Sequence, residues 1–122
     1  MKTVYESTFV SVGDCAGEAL DDNFFITFAE GAPADVADYC FIHRPQSRGE
    51  APFLAGSVIT IGDHSWPVTA VGEVAAVNLR ELGHITVKFD GAAVAEFPGT
   101  VHVAGSIPAA IEPGQKFSVL SE

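Results

Sequence analysis

The stretch HITVKFDG, residues 84–91, decides the fold of this chain. Its apolar residues Ile85, Val87 and Phe89 alternate with polar ones, which is the two-residue period of a β-strand with one buried face. The Asp-Gly pair that follows is a turn signal. The segment therefore predicts a short strand that buries one face and carries His84 on the other.

The same alternation recurs along most of the chain, with turn residues between the segments. Further strands are predicted at residues 4–12, 24–28, 59–61, 66–70, 101–103 and 117–119. Gly62-Asp63 lies between two of them and predicts a hairpin. Pro98-Gly99 and Pro113-Gly114 mark turns before the last two strands.

Helix signals are few. Residues 73–82 have apolar side chains at helical spacing, and Gly83 is placed to end such a helix. Residues 35–39 after Pro33 predict a single helical turn. About seven short strands and one short helix indicate an all-β fold, a closed or partly closed β-barrel or a sandwich. The length favours one domain over residues 1–122.

The composition indicates a globular protein with an acidic surface. Apolar residues make up 48% of the chain and charged residues 18%. The mean hydropathy is +0.27, yet the chain has no apolar run of about 18 residues suited to crossing a membrane. Since the N-terminal residues also have no secretory apolar core, we expect a cytoplasmic protein without membrane insertion. A net charge of −10 disfavours binding to nucleic acid.

The two cysteines, Cys15 and Cys40, are far apart and in no metal-binding pair. We expect two reduced, partly buried thiols, as is usual in the cytoplasm. A disulfide is the alternative, because an even number of cysteines also fits a secreted domain.

His43 is the first of four candidate nucleophiles. It ends the apolar run Tyr39–His43 and precedes a polar loop, so the sequence predicts a side chain that is held by a strand and reachable by a partner. Arg44 and Arg48 follow closely, and their charge would offset that of a phosphoryl group. The alternative interpretation is an ordinary surface histidine.

The other histidines, His64, His84 and His102, have weaker patterns. His64 follows a turn, whereas His84 and His102 lie on the polar faces of predicted strands and would share a surface with His43 if those strands are neighbours. A metal site built from these residues stays an alternative, although no short ligand spacing supports it. Motifs for acyl transfer, nucleotide phosphates and zinc-dependent hydrolysis are missing.

Seven segments, in this order and spacing, resemble one known family. They are ITF at 26–28, EGAPAD at 30–35, YCFIH at 39–43, PVTAVG at 67–72, NLRELGH at 78–84, FDG at 89–91 and EFPGTVHV at 96–103. The chain resembles the glucitol/sorbitol-specific IIA components of the bacterial sugar phosphotransferase system. The resemblance implies a closed β-barrel domain that works as a phosphocarrier, a phosphotransferase without cofactor or metal.

The resemblance also implies the site and the partners. His43 would be phosphorylated by the phosphocarrier protein HPr, and the group would pass to a cysteine of the membrane transporter's IIB component, which works with IIC. Cys40 is then structural. We add three expectations. His84 or His102 stabilises the phosphoryl group, and Arg44 and Arg48 assist. Partners dock on the neighbouring loop, at apolar residues such as Pro45, Pro52 and Phe53. The alternative is a non-catalytic regulatory or sugar-responsive barrel.

Overall fold

Eight strands form a closed barrel within residues 2–121, the part of the chain that the computed structural model describes. They are β1 (Lys2–Val12), β2 (Phe24–Ala29), β3 (Phe41–Arg48), β4 (Val58–Ile61), β5 (His64–Val71), β6 (Ile85–Lys88), β7 (Thr100–Val103) and β8 (Lys116–Ser121). Around the barrel their order is β1-β3-β2-β6-β7-β5-β4-β8, and β8 closes the barrel by pairing with β1. The predicted all-β barrel is confirmed, with eight strands instead of about seven.

Two of the neighbouring strand pairs are parallel. β2 pairs with β3 and β6 pairs with β7 in this way, whereas the other pairs are antiparallel. Parallel neighbours need a crossover connection rather than a hairpin. The crossovers run through residues 30–40 and 89–99, and the second one covers part of β7.

Three short helices lie between the strands: α1 (Glu18–Asp21), α2 (Ala34–Ala37) and α3 (Ala75–Leu82). The predicted helix at 73–82 is confirmed as α3. It ends at Gly83, which has a positive φ of 66°. Glycine adopts this left-handed conformation without the steric cost of a side chain, and it is the usual residue at such a helix end. The turn predicted at 35–39 is α2, and α1 was not predicted.

The core fills the barrel interior and is rich in aromatic rings. Ile85 and Val87 are fully buried, so the face predicted for β6 is confirmed. In β2 the buried side chains are Phe25 and Thr27, whereas Phe24, Ile26 and Phe28 are only partly buried. Within residues 2–121 no helix has the length and apolar character that crossing a membrane requires.

Both cysteines are free thiols, as predicted, and Cys40 is buried. Burial raises the pKa of the Cys40 thiol. A buried, protonated thiol is a poor nucleophile, so Cys40 packs in the structure as an apolar residue would.

Candidate functional site

His43 lies inside the barrel. On β3 it pairs with Phe9 of β1 and Ala29 of β2, and its side chain is 0% exposed. The prediction of an accessible residue where a strand opens into a loop is therefore wrong. β3 continues to Arg48, because residues 44–48 pair with residues 5–8 of β1 and so extend the sheet beyond His43.

Both ring nitrogens of His43 make hydrogen bonds. Nε2 lies 2.7 Å from the carbonyl oxygen of Gly83, and Nδ1 lies 2.6 Å from Oγ of Ser7. A carbonyl oxygen only accepts, so Nε2 carries the proton and donates it to Gly83. In the neutral ring Nδ1 then has the lone pair and accepts from the Ser7 hydroxyl.

Aromatic rings surround the imidazole. The rings of Tyr5, Phe9 and Phe117 lie edge-on to it at centroid distances of 5.8, 6.1 and 5.4 Å. Burial among them lowers the pKa of His43, the bond to Gly83 opposes this, and the positive charge of Arg48 lowers the pKa further. The ring is thus held neutral at pH 7, the state in which imidazole has a nucleophilic lone pair.

The end of α3 packs directly on the imidazole. The Gly83 carbonyl accepts a second bond, from Oγ1 of Thr27 at 2.9 Å. A Cβ built on Gly83 would lie 2.8 Å from Cε1 of His43 and 2.7 Å from Cβ of Ala29. This close approach requires glycine at position 83, independently of its positive φ.

The two arginines of β3 have different surroundings, although both are exposed. The Nε of Arg48 donates to the carbonyl of Arg80 in α3 at 2.7 Å, and the Arg48 charge acts on His43. Arg44 instead makes a two-bond ion pair with the exposed Glu30, at 2.6 and 3.1 Å. Only Arg48 thus ties β3 to the helix that covers His43.

His84 lies next to Gly83 and is half-buried. Its Nδ1 is 3.1 Å from the carbonyl oxygen of Thr27, and its ring packs against Phe28 at 4.9 Å. Through Gly83 and Thr27 it shares neighbours with His43. The structure thus brings His84 close to the environment of His43.

His102 is fully buried, so its prediction as a residue of an exposed polar face is wrong. The side chain does point away from the core residues of β7, but the crossover from β6 covers it. Its Nδ1 donates to Asp90 at 2.7 Å, and its Nε2 accepts from the backbone N–H of Glu96 at 3.1 Å. Among residues 2–121 no hydrogen bond or ring contact joins His102 to His43.

The remaining candidates lie apart from His43. His64 is exposed and its ring lies beside Trp66, a core residue whose indole N–H donates to Ser106. A groove of about 460 Å³ runs past both rings and does not include His43. Across the described part of the chain, no three His, Cys, Asp or Glu side chains come together as a metal site would need.

The loop after β3 differs from the predicted docking surface in one respect. Phe53 is only 4% exposed and belongs to the core, so it is not available to a partner in this structure. The neighbouring Leu54 is 60% exposed, and Leu82 at the end of α3 is 46% exposed. These two apolar side chains lie on the outside instead.

Sequence reasoning missed Ser7 and Gly83 as partners of His43. Ser7 is an ordinary polar residue of an imperfectly alternating strand, and nothing in its position along the chain links it to a residue 36 places later. Gly83 was recognised as a helix end, but its carbonyl contact depends on how α3 meets the barrel. The segment NLRELGH, in which a helix is followed by Gly83 and His84, was the part of the sequence that could have indicated this contact.

The fold and the site together define a class, a small closed β-barrel that holds a neutral histidine in its interior. The sequence matches the family described as PTS system glucitol/sorbitol-specific IIA component over residues 4–118, and the chain belongs to that family. Membership implies a phosphocarrier role in sugar uptake.

Individual relatives agree with this assignment. Two proteins named PTS system glucitol/sorbitol-specific EIIA component, from Shigella flexneri and Escherichia coli, are each 51% identical to this chain over 126 aligned positions, with both chains fully covered. A crystal structure described as a PTS system IIA component, from Enterococcus faecalis, has a TM-score of 0.84 and 23% identity. It covers 94% of this chain and 98% of its own, and it shows a shared fold.

Proposed function

We propose that this chain is a cytoplasmic phosphocarrier in which His43 accepts a phosphoryl group from phosphorylated HPr. His43 then passes the group to a cysteine of the glucitol/sorbitol IIB component during sugar uptake. Family membership supports the carrier role. The observation that carries the choice of His43 is its ring, which is held neutral and hydrogen-bonded at both nitrogens.

The chemistry needs little from the protein beyond position and charge. The lone pair of a His43 nitrogen forms a new P–N bond while the P–N bond of the donor phosphohistidine breaks, so the bond types on the two sides are equal. In phosphoryl transfer a protein mainly aligns the reactants and stabilises the phosphoryl oxygens. Arg48 is the nearest identified source of such charge.

Transfer to a buried ring requires an opening. Nδ1 faces Ser7, which is itself 0% exposed on β1. Nε2 faces the Gly83 carbonyl at the end of α3, where Glu81 and Leu82 are exposed. We therefore expect the last turn of α3 and Gly83 to move when a partner docks, which would expose Nε2.

The supporting roles suggested for His84 and His102 remain predictions. His84 adjoins Gly83, so the movement that opens the site would bring it nearest to the phosphoryl group. Both nitrogens of His102 are engaged by the crossover. If either residue stabilises the phosphoryl group, the geometry favours His84.

The test is phosphorylation of the purified protein by phosphoenolpyruvate, enzyme I and HPr, with wild type compared with His43→Gln. We expect one acid-labile phosphoryl group on wild type and none on the variant. His64→Gln is the matched control, because it removes an exposed histidine and should keep full labelling. His84→Gln and His102→Gln, in the same assay, test the supporting roles, and unchanged transfer rates in both would remove them.

The full burial of His43 favours a second function, a non-catalytic regulatory or sugar-responsive barrel in which His43 is a core residue. The same assay separates the two. A folded wild-type protein that takes up no phosphoryl group would contradict the carrier and support the barrel module. Labelling that persists in His43→Gln would move the site to another histidine.

A further inference from the structure

The Ser7 hydroxyl makes one side-chain hydrogen bond within residues 2–121, the one to Nδ1 of His43 at 2.6 Å. Both residues are 0% exposed. A buried polar group without a partner is costly, so each of these atoms depends on the other. Ser7 lies on β1 between Tyr5 and Phe9, whose rings line the imidazole.

In the resting ring the proton is on Nε2. The Gly83 carbonyl fixes it there, because this oxygen accepts and does not donate. A nitrogen that carries a proton has no lone pair with which to attack phosphorus. The resting tautomer therefore has its free lone pair at Nδ1, on the closed side of the ring.

The side of the ring that can become accessible is the Nε2 side. Nε2 is covered by a helix end, whereas Nδ1 is covered by a strand inside the closed barrel. Attack from Nε2 needs a neutral ring with its proton on Nδ1. In that tautomer Nδ1–H is a donor and its partner has to accept.

We propose that Ser7 is a positioning residue for phosphoryl transfer, whose hydroxyl donates to Nδ1 in the resting ring and accepts from Nδ1–H in the reacting ring. The inference rests on the proposed function of His43. A hydroxyl rotates about its C–O bond and serves as donor or acceptor in one place. Neither the Gly83 carbonyl nor an apolar side chain can do both.

The step balances without a further reagent. As the Gly83 carbonyl moves away, the imidazole is free to turn, and water that enters takes the proton from Nε2 and supplies one to Nδ1 before the ring returns to Ser7, with no net change in protons. The Nε2 lone pair then forms the new P–N bond. The electron pair of the breaking P–N bond returns to the donor imidazole, and the positive charge passes from the donor ring to the His43 ring, where Ser7 accepts from Nδ1–H.

The test combines transfer rates with the nitrogen chemical shifts of the His43 ring. In unphosphorylated wild type we expect ¹⁵N shifts of an Nε2–H tautomer, and in the phosphorylated protein a protonated Nδ1. Ser7→Ala should slow phosphorylation by HPr about tenfold, the effect of one ordinary hydrogen bond. Ser7→Thr keeps a hydroxyl on the same carbon and should restore the rate.

Ser118→Ala is the matched control, because it removes a buried serine hydroxyl that makes no hydrogen bond to His43 in the described residues. Thermal unfolding of every variant separates a slower transfer from a loss of fold. If Ser7→Ala does not fold, the wild-type shifts still decide, and a resting Nδ1–H tautomer would overturn the inference. A folded Ser7→Ala that matches wild type in rate would overturn the role of Ser7 alone, whereas an unlabelled wild type would overturn the carrier function as well.

Discussion

The contacts that hold the His43 ring are also the contacts that hide it. The Ser7 hydroxyl and the Gly83 carbonyl take both nitrogens, and aromatic edges fill the space around them. A side chain so placed has few orientations, as in-line transfer needs, and it has a defined resting tautomer, which has to change before Nε2 can attack. In the proposed carrier, the reaction of His43 therefore requires that one of these two partners moves away for a short time.

Arg48 and Arg44 give a test of charge at the site. Because the Arg48 charge acts on His43 and Arg44 is paired with Glu30, we expect Arg48→Gln to slow HPr-dependent phosphorylation about tenfold. Arg44→Gln is the control and should leave the rate unchanged. Rates measured at several salt concentrations check the origin of the effect, since an electrostatic contribution shrinks with added salt. Equal losses in the two variants would point to partner docking by the whole basic segment.

At the residue scale the sequence identified the candidates but not their surroundings. The motif YCFIH identified His43, and Gly83, whose carbonyl binds His43, was recognised as the end of a helix. Burial was not predictable, because it depends on the pairing of residues 44–48 with a strand about 40 positions earlier. His102 was placed on the correct face of β7, and only the crossover that covers it was missed.

Among the elements, α3 has the closest relation to the site. It ends in a left-handed glycine whose carbonyl binds His43 and Thr27, and Arg48 binds its last turn. A helix of eight residues is marginal by itself and depends on packing for its stability. Because α3 lies outside the strand pairs that close the barrel, we expect that it can shift without opening the barrel.

Gly83→Ala tests this contact. The added Cβ would collide with His43 and Ala29 and would also occupy a positive φ, so we expect a loss of about 1–3 kcal/mol in the free energy of unfolding. Gly31→Ala is the matched control, since Gly31 has a φ of 96° and open space around its Cα. The Gly31→Ala substitution should lower the free energy of unfolding by about 1 kcal/mol, through the backbone conformation alone. Denaturant unfolding measures both, and equal losses would mean that α3 yields freely to the new methyl group.

The elements were largely predictable because their local signals agree. Alternation identified β6, Gly62-Asp63 identified the β4–β5 hairpin, and Gly83 identified the end of α3. β2 shows the limit, since Thr27 is buried there while apolar neighbours are only partly so. The buried Thr27 hydroxyl is satisfied because it donates to the Gly83 carbonyl, a contact that the residue pattern of one strand does not reveal.

The molecule as a whole should lose stability in two separate ranges of pH. Burial lowers the pKa of His43 below 6.5, so beneath about pH 6.5 the unfolded chain binds a proton that the folded protein does not. The contribution of His43 to stability is therefore fully present above this pH. As the pH drops below it, the folding equilibrium constant decreases by up to about tenfold per pH unit. Partial burial acts to raise the pKa of Asp90, but hydrogen bonds from His102 and the Ala92 amide outweigh it and lower the pKa. The contribution of Asp90 to stability is therefore lost as the pH falls below about 3.8.

His43→Gln isolates the first range. Denaturant unfolding of wild type and variant between about pH 7.5 and about pH 5 should show a steeper loss for wild type, by close to one proton. His64→Gln serves as the control and should follow wild type. Parallel curves for wild type and His43→Gln would mean that the ring accepts a proton in the folded barrel.

Closure of the barrel also bears on how the chain is made. β8 pairs with β1 on one side and with β4 on the other. A growing chain on the ribosome therefore presents two unpaired strand edges until residues 116–121 have emerged. Such edges are templates for pairing with other chains, so the nascent protein is exposed to aggregation until β8 emerges and closes the barrel.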